Sequence, residues 1–440
     1  MEASALGPRQ RARWSRQRLT GLSARLDGAA VAASWRALWS TRILVLAAGV
    51  SAVLTERRAA GSAGFDPASL TSHLGRLGDV LVAPAARWDS VWYLTIARHG
   101  YGGPGLGSPA TRSAFFPLYP LLNRLAALPG EGLLIAGVLV SLGAMAVALY
   151  LLFRLGELEL GAGRPGGHPD APRLAVWALA ASPMALFLSA LYSESLYLAL
   201  CLGAFWAARH GRWAAAGALG ALAAATRNTG VLLLLPLVLL YLRGPREDRP
   251  PGAVGLDLLW LGLIPLGLAA FPAYLASRGL DPMTPFHAEH AWYRHFAGPL
   301  GGVRDGAVAA FDGARQLLSG SRAPVYFPTA GGDPMTVARA NLWQFAALVA
   351  LVPMVVGVLR RLPAAYGVYV LGALAVSLSY PVTPQPLISL SRYAMALFPL
   401  ALWLGWWLAE HPRARIPVLG PSVVGLAFAT ARFATWHFVA

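Results

Sequence analysis

The chain has 440 residues, 56% of them hydrophobic and 13% charged; a soluble protein of this size would carry about 25% charged residues. Mean hydropathy is +0.53, and several apolar runs reach the roughly 20 residues needed to cross a bilayer, so a polytopic membrane protein is expected and a soluble one excluded. The formal charge of +16 does not point to nucleic acid, because the arginines lie in short loops between apolar segments, where they set topology.

Every residue of the Lys+Arg class is arginine, and alanine and glycine are abundant, a bias that fits a GC-rich bacterial genome and hence a bacterial cell membrane. Cys201 is the only cysteine, which excludes disulfides, zinc clusters and thiol relays. The first hydrophobic run begins near Ile43, after a polar and basic stretch, so no cleavable signal is expected.

Residues 1–40 read as a basic cytoplasmic tail, and 41–440 as a single transmembrane domain. Apolar runs predict about eleven spans: 41–56, 132–153, 174–191, 195–209, 213–226, 229–243, 254–276, 340–358, 363–380, 393–409 and 416–438. Segment 114–128 is apolar but short and proline-rich, and reads as re-entrant or interfacial. Arg9, Arg11, Arg13, Arg16, Arg18, Arg25 and Arg36 precede the first span, so the N-terminus is expected in the cytoplasm. Alternating from there, each short cytoplasmic turn is basic. The other side receives two long loops, about 57–131 and 277–339, and short turns near 192–194, 226–228 and 381–392.

The polar residues of that outer side are few and specific. In RWDSVWY, Asp89 lies between Trp88 and Trp92, and apolar residues at near-helical spacing predict an amphipathic helix along the interface. Alone, the stretch reads equally well as a tryptophan-anchored helix whose acid faces water or caps the helix start. LYSESLY places Glu194 as nearly the sole acid of a long apolar region; it is either the first turn of a helix capped by Ser193 or Ser195, or a paired functional acid. TRNTG brings Arg227 and Asn228 to the same side, and SLSRYAM brings Arg392 and Tyr393, where arginine could snorkel or grip a phosphate. PFHAEHAWYRH offers His287, Glu289, His290 and Trp292 as sugar-binding or, less favourably, metal-binding residues. No cofactor is expected, and a divalent metal is not required.

The blocks RWDSVWYLTIARHGY, SAFFPLYPLL, LYSESLY, TRNTG and SRYAMALFP, in this order from Arg87 to Pro399, resemble the PIG-V-type mannosyltransferases, a family of GPI mannosyltransferases with bacterial relatives. The resemblance implies a GT-C glycosyltransferase fold with interfacial helices and an essential acid in the first external loop. It also implies a polyprenyl-phosphate-sugar donor, dolichyl-phosphate mannose in eukaryotes. Carried onto this chain, the acid is Asp89, the conserved turn is Tyr192, Ser193, Glu194 and Ser195, and Arg392 faces the donor phosphate.

The expected reaction is an inverting mannosyl transfer on the extracytoplasmic face, with Asp89 as general base and Glu194 as a supporting acid. Arg227, Asn228, Arg392 and Tyr393 would bind the donor phosphate. Trp88, Trp92, Tyr93, Phe116, Tyr119, Tyr192, Ser193 and Ser195 would form the pocket. His287, Glu289, His290 and Trp292 would contact an acceptor that is a glycan, glycolipid or protein. Other GT-C activities (arabinose, aminoarabinose or protein O-mannosyl transfer) stay open. A lipid-linked-sugar transporter is the rival outside enzymes, though no internal repeat supports it.

Overall fold

Asp27 caps the first helix by accepting from the Ala30 N–H at 2.9 Å, so α1 (Gly28–Thr55) begins inside the stretch read as a tail. The computed structural model describes residues 27–56, 62–66, 69–72, 74–127, 132–244, 252–323 and 333–439. Among these residues no β-strand forms; one isolated bridge pairs Arg294 with Val382.

After α1, the first loop holds α2 (Asp89–His99) and α3 (Leu118–Ala126). The bundle continues with α4 (Leu133–Leu160), α5 (Ala171–Ala180), α6 (Glu194–Arg209), α7 (Trp213–Thr226), α8 (Leu234–Arg243) and α9 (Leu263–Ser277). The second loop contains α10 (Gly301–Ser319), which the sequence reading left as loop. Then come α11 (Pro334–Arg361), α12 (Ala364–Ser379), α13 (Leu390–Met395), α14 (Phe398–Glu410) and α15 (Arg415–Ala434). Each of the eleven predicted spans overlaps a helix of this series, 393–409 being divided between α13 and α14. Five helical stretches are long and apolar enough to cross a membrane unaided: Gly28–Thr55, Leu133–Leu160, Leu256–Ser277, Pro334–Arg361 and Pro412–Ala434.

Two expectations are corrected. The span over 174–191 is broken: α5 stops at Ala180, Pro183 opens a 3-10 segment (Pro183–Leu188), and carbonyls are released between them. Arg42 of α1, buried, takes up those groups by donating to Ala185 O at 2.7 Å, Ala180 O at 3.3 Å and Ser189 Oγ at 2.7 Å. A charged side chain inside an apolar bundle is explained by the broken backbone it satisfies. Secondly, α2 is packed inside the chain rather than laid on its surface. Val91, Tyr93, Leu94, Thr95, Ile96 and Ala97 are buried, in an apolar cluster with Phe115, Phe116, Tyr119 and Phe271. The amphipathic helix of this loop is α3, which buries Tyr119, Pro120 and Asn123 and exposes Leu121 and Leu125, one turn apart.

Small residues set how closely the helices cross. At the crossing of α5 and α14, a Cβ on Gly405 would lie 2.2 Å from Ala175 N and 2.5 Å from its Cα, so only glycine lets these backbones touch. Gly405→Val is expected to lower the thermal unfolding midpoint of the detergent-purified protein, with overpacking of about 1–3 kcal/mol. Gly143→Ala, where an added methyl meets nothing within 4 Å, should leave the midpoint in place. Equal midpoints for the two variants would show that the crossing is slack.

Candidate active site

Four charged side chains from distant parts of the chain meet at one end of the bundle. Asp89 is the first residue of α2 and Glu194 the first of α6. Arg227 forms the one-residue extended turn between α7 and the 3-10 segment that leads into α8, and Arg392 lies in α13. The Arg392 guanidinium donates from NH1 to Asp89 Oδ2 at 2.8 Å, and its Nε lies 3.5 Å from Glu194 Oε1. Arg227 NH1 donates to the same Glu194 oxygen at 2.8 Å. Glu194 is therefore a shared anion between two cations, and it is 1% exposed. Its other oxygen, Oε2, has no hydrogen-bond partner among the described residues.

The local backbone explains how these groups are aimed. The Asp89 N–H donates to Tyr192 Oη at 3.1 Å, and that hydroxyl donates in turn to Arg87 O at 3.1 Å. Arg87, 1% exposed, donates to carbonyls of Ala83, Ala86 and Ala434. Between them Trp88 adopts φ 55° and ψ −115°, a conformation that favours glycine. Its ring is clamped by Phe65, Trp436 and Phe438, with centroids at 4.5, 6.0 and 5.5 Å. In the Arg227 turn, a Cβ on Gly230 would fall 2.3 Å from Ala224 N, so glycine is required for the hairpin that brings Arg227 back to Glu194.

A cavity of about 520 Å³ opens over this cluster. Of the predicted residues, Asp89, Glu194, Arg227, Asn228, Arg392, Tyr393, Trp88, Trp92, Tyr93, Phe116 and Trp292 line it. Trp92 stacks on Phe115 at 5.5 Å and meets Trp292 edge-on at 5.9 Å, an aromatic wall drawn from both long loops. The planes of Tyr192, Tyr393 and Phe187 surround the Arg392 guanidinium at 5.2–5.6 Å.

Several predicted pocket residues stand behind the wall instead. Tyr119 is fully buried, donating to Gly137 O at 3.1 Å and pairing with Ser141 Oγ at 2.7 Å. Tyr192 is the hydroxyl relay beneath Asp89. Ser193 does not cap α6 with its side chain; its Oγ pairs with Tyr93 Oη at 2.8 Å, and Ser195 Oγ is buried without a partner among the described residues. Burial first, and then the Glu194 carboxylate, push the Tyr93 phenol well above the ordinary tyrosine value, so it remains protonated. His287 and His290 are exposed and do not line the cavity, although Pro285 and Trp292 of the same short turns do; the Glu289 side chain lies outside the described residues. Among the described residues no three His, Cys, Asp or Glu side chains gather as a metal-binding group.

The sequence reading missed Tyr197, Thr226, Thr229, Arg294, Ser377, Tyr380 and Phe438 as lining residues. Thr226 and Thr229 flank a motif already singled out and were within reach. Phe438 comes from the far C-terminus, and no local pattern marks it.

The family described as "Mannosyltransferase (PIG-V)" matches residues 36–240. The chain is 32% identical over 183 residues to GPI alpha-1,6-mannosyltransferase 2 of Cricetulus griseus, covering 38% of this chain and 34% of that protein. It is 33% identical over 172 residues to the Mus musculus protein of the same name, covering 36% and 32%. The matched part thus spans about a third of the length of these relatives. Among solved structures, the Archaeoglobus fulgidus oligosaccharyltransferase AglB, in complex with an inhibitory peptide and a dolichol-phosphate, aligns over 91% of this chain and 56% of its own, with 13% identity and a TM-score of 0.39. An oligosaccharyltransferase structure from the same organism, tethered to an acceptor peptide, aligns over 74% and 47%, with 12% identity and a TM-score of 0.35. Through residues 36–240, the segment that carries Asp89, Glu194 and Arg227, this chain matches the PIG-V-type mannosyltransferase family.

Proposed function

We propose that this chain is an integral-membrane, inverting glycosyltransferase of GT-C type, moving a mannosyl residue from a polyprenyl-phosphate donor to an acceptor outside a bacterial cytoplasm. The observation that carries the reading is the contact of Asp89 with Arg392 at 2.8 Å on the wall of an aromatic cavity. It sets a proton acceptor beside a phosphate-binding cation.

The acceptor hydroxyl oxygen bonds to the anomeric carbon from the face opposite the phosphate. The bond from that carbon to the phosphate oxygen breaks, and its electron pair leaves with polyprenyl phosphate. Asp89 takes the hydroxyl proton. Its Oδ2 is held by Arg392, while Oδ1 carries no hydrogen bond among the described residues and is the oxygen available to accept. Arginine has five N–H donors, so Arg392 can grip a phosphate oxygen while keeping Asp89. Arg227, held by Glu194, adds a second cation on the cavity lining, its side chain 23% exposed. A phosphate leaving group needs charge stabilisation rather than a general acid. Glu194 is better read as the residue that positions both arginines than as one acting on the acceptor.

Purified protein in nanodiscs, given radiolabelled polyprenyl-phosphate mannose and a panel of glycan, glycolipid and peptide acceptors, should release polyprenyl phosphate. Asp89→Asn should lower that turnover by about 10²–10⁴-fold in protein that still expresses and folds with a lowered thermal midpoint, because Arg392 keeps Glu194 as its remaining acid. Release by Asp89→Asn at the wild-type rate would remove it from the base role, and no release from any mannolipid would overturn the donor class. In the same assay Arg392→Lys, which keeps the charge but loses the planar fork, should lower kcat/KM for the donor, with a fall in kcat where the leaving phosphate gains charge. Wild-type kcat and KM in Arg392→Lys would place Arg392 away from the phosphate.

Orientation has its own test. Cys201 is buried, so single added cysteines report cleanly. Ser108→Cys, on the exposed part of the first loop, should react with an impermeant maleimide in intact cells, and Arg413→Cys only after permeabilisation. The reverse pattern would move the site to the cytoplasm.

A further inference from the structure

We propose that the end of the bundle opposite Asp89 holds a second site, which takes the phosphate-bearing headgroup of an anionic lipid. A cavity of about 430 Å³ lies there, lined by Arg164, Arg209, Arg243 and Arg361 and a single acid, Glu159. Its position follows from the helices: α6 starts at Glu194 in the first cavity and ends at Arg209 in the second. At about 1.5 Å per residue, sixteen residues put the two sites roughly 24 Å apart. The ends of α8 and α11, at Arg243 and Arg361, and the start of α12 converge on the same place.

Basic residues in short turns set topology, and that alone would account for arginines near these helix ends. It does not account for their convergence on one hollow with a charge surplus. Glu159 is consumed by Arg209, which donates to it from Nε and NH2, and by Tyr366 Oη, which donates at 2.9 Å. Three guanidinium groups then remain without an acid in the lining. Arg361 donates to the carbonyls of Pro165 and Gly166 and lies 4.6 Å over the Trp406 ring, but its buried Nε has no partner among the described residues. Arg243 makes no hydrogen bond or ion pair with another described residue. A phosphate, with several acceptor oxygens and delocalised charge, suits three such forks better than one carboxylate does.

The apolar surroundings favour a lipid over free phosphate. Leu239 and Leu240 form part of the wall. Leu235, one turn earlier on α8, is 64% exposed, and Leu371 on α12 is 46% exposed. These outward rows run from the cavity along the bundle, where acyl chains attached to a seated headgroup would lie. Basic pockets between membrane helices bind anionic headgroups on this principle. The proposal does not depend on the chemistry assigned to Asp89.

The test uses full-length protein taken from nanodiscs of equal phosphatidylglycerol and phosphatidylcholine into native mass spectrometry. The wild type should retain phosphatidylglycerol in preference to phosphatidylcholine. Retention should fall about fivefold for each arginine removed in Arg164→Gln/Arg243→Gln/Arg361→Gln. Because Arg361 also holds the 165–166 turn, the double variant Arg164→Gln/Arg243→Gln is measured beside it, with Arg124→Gln on α3 as a control that should change nothing. Equal preference in the wild type and the double variant overturns the site. Millimolar glycerol 3-phosphate distinguishes the sources: failure to displace the lipid supports a lipid headgroup, and binding of glycerol 3-phosphate with no retained lipid overturns it.

Discussion

Arg392 is the side chain on which the candidate site depends. It touches Asp89, 303 residues earlier in the chain, and lies within 3.5 Å of Glu194, so one guanidinium ties α13 to the first loop and to the start of α6. In an apolar bundle none of these charges could stand alone. Removing one member of such a pair leaves an uncompensated buried charge and costs about 3–5 kcal/mol. The network is closed by Arg227, which shares the Glu194 oxygen, and by aromatic faces that surround the Arg392 guanidinium. Its arrangement therefore constrains every element that supplies a member.

That constraint is visible in the backbone. Trp88 and Ser389 are both non-glycine residues at positive φ, 55° and 67°, one immediately before Asp89 and the other three residues before Arg392. Such conformations cost about 1–3 kcal/mol each and persist only when their surroundings over-determine them. At Trp88 the surroundings are visible: an indole wedged among Phe65, Trp436 and Phe438, and an adjacent arginine buried against carbonyls from both ends of the chain. The tryptophans of RWDSVWY thus pack within the chain on either side of the acid. Trp88 locks the start of α2, and Trp92 builds the aromatic wall.

Hydropathy and arginine placement made the helical series legible, because both act through composition over long windows, where single residues average out. The same frame brought Asp89, Glu194, Arg227 and Arg392 to one end of the bundle, and their contacts are what the structure adds. What stayed hidden depended on tertiary partners. The burial of α2 follows from Phe115, Phe116 and Phe271 packing over it, and its own periodicity resembles that of an interfacial helix. The break at Pro183 could be suspected from the proline, but Arg42 as its partner lies 143 residues away. Ser193 looked like a helix cap because capping is the commonest use of serine there; the nearby Tyr93 hydroxyl claimed it instead.

Charge conservation ties the geometry to the proposed reaction. Within the cluster two carboxylates face two guanidinium groups, and Arg294 adds a third cation to the cavity lining. A polyprenyl-phosphate sugar enters as a phosphodiester with one negative charge, and its product leaves as a monoester that gains a second. In the same step Asp89 accepts a proton and becomes neutral. The total is unchanged, but one negative charge has moved from the aspartate to the phosphate. A cation fixed between the two positions stabilises that charge before and after transfer without moving, which is the condition for pre-organised electrostatic catalysis. Arg392, held 2.8 Å from Asp89 with further N–H donors on the cavity side, is the residue that meets it.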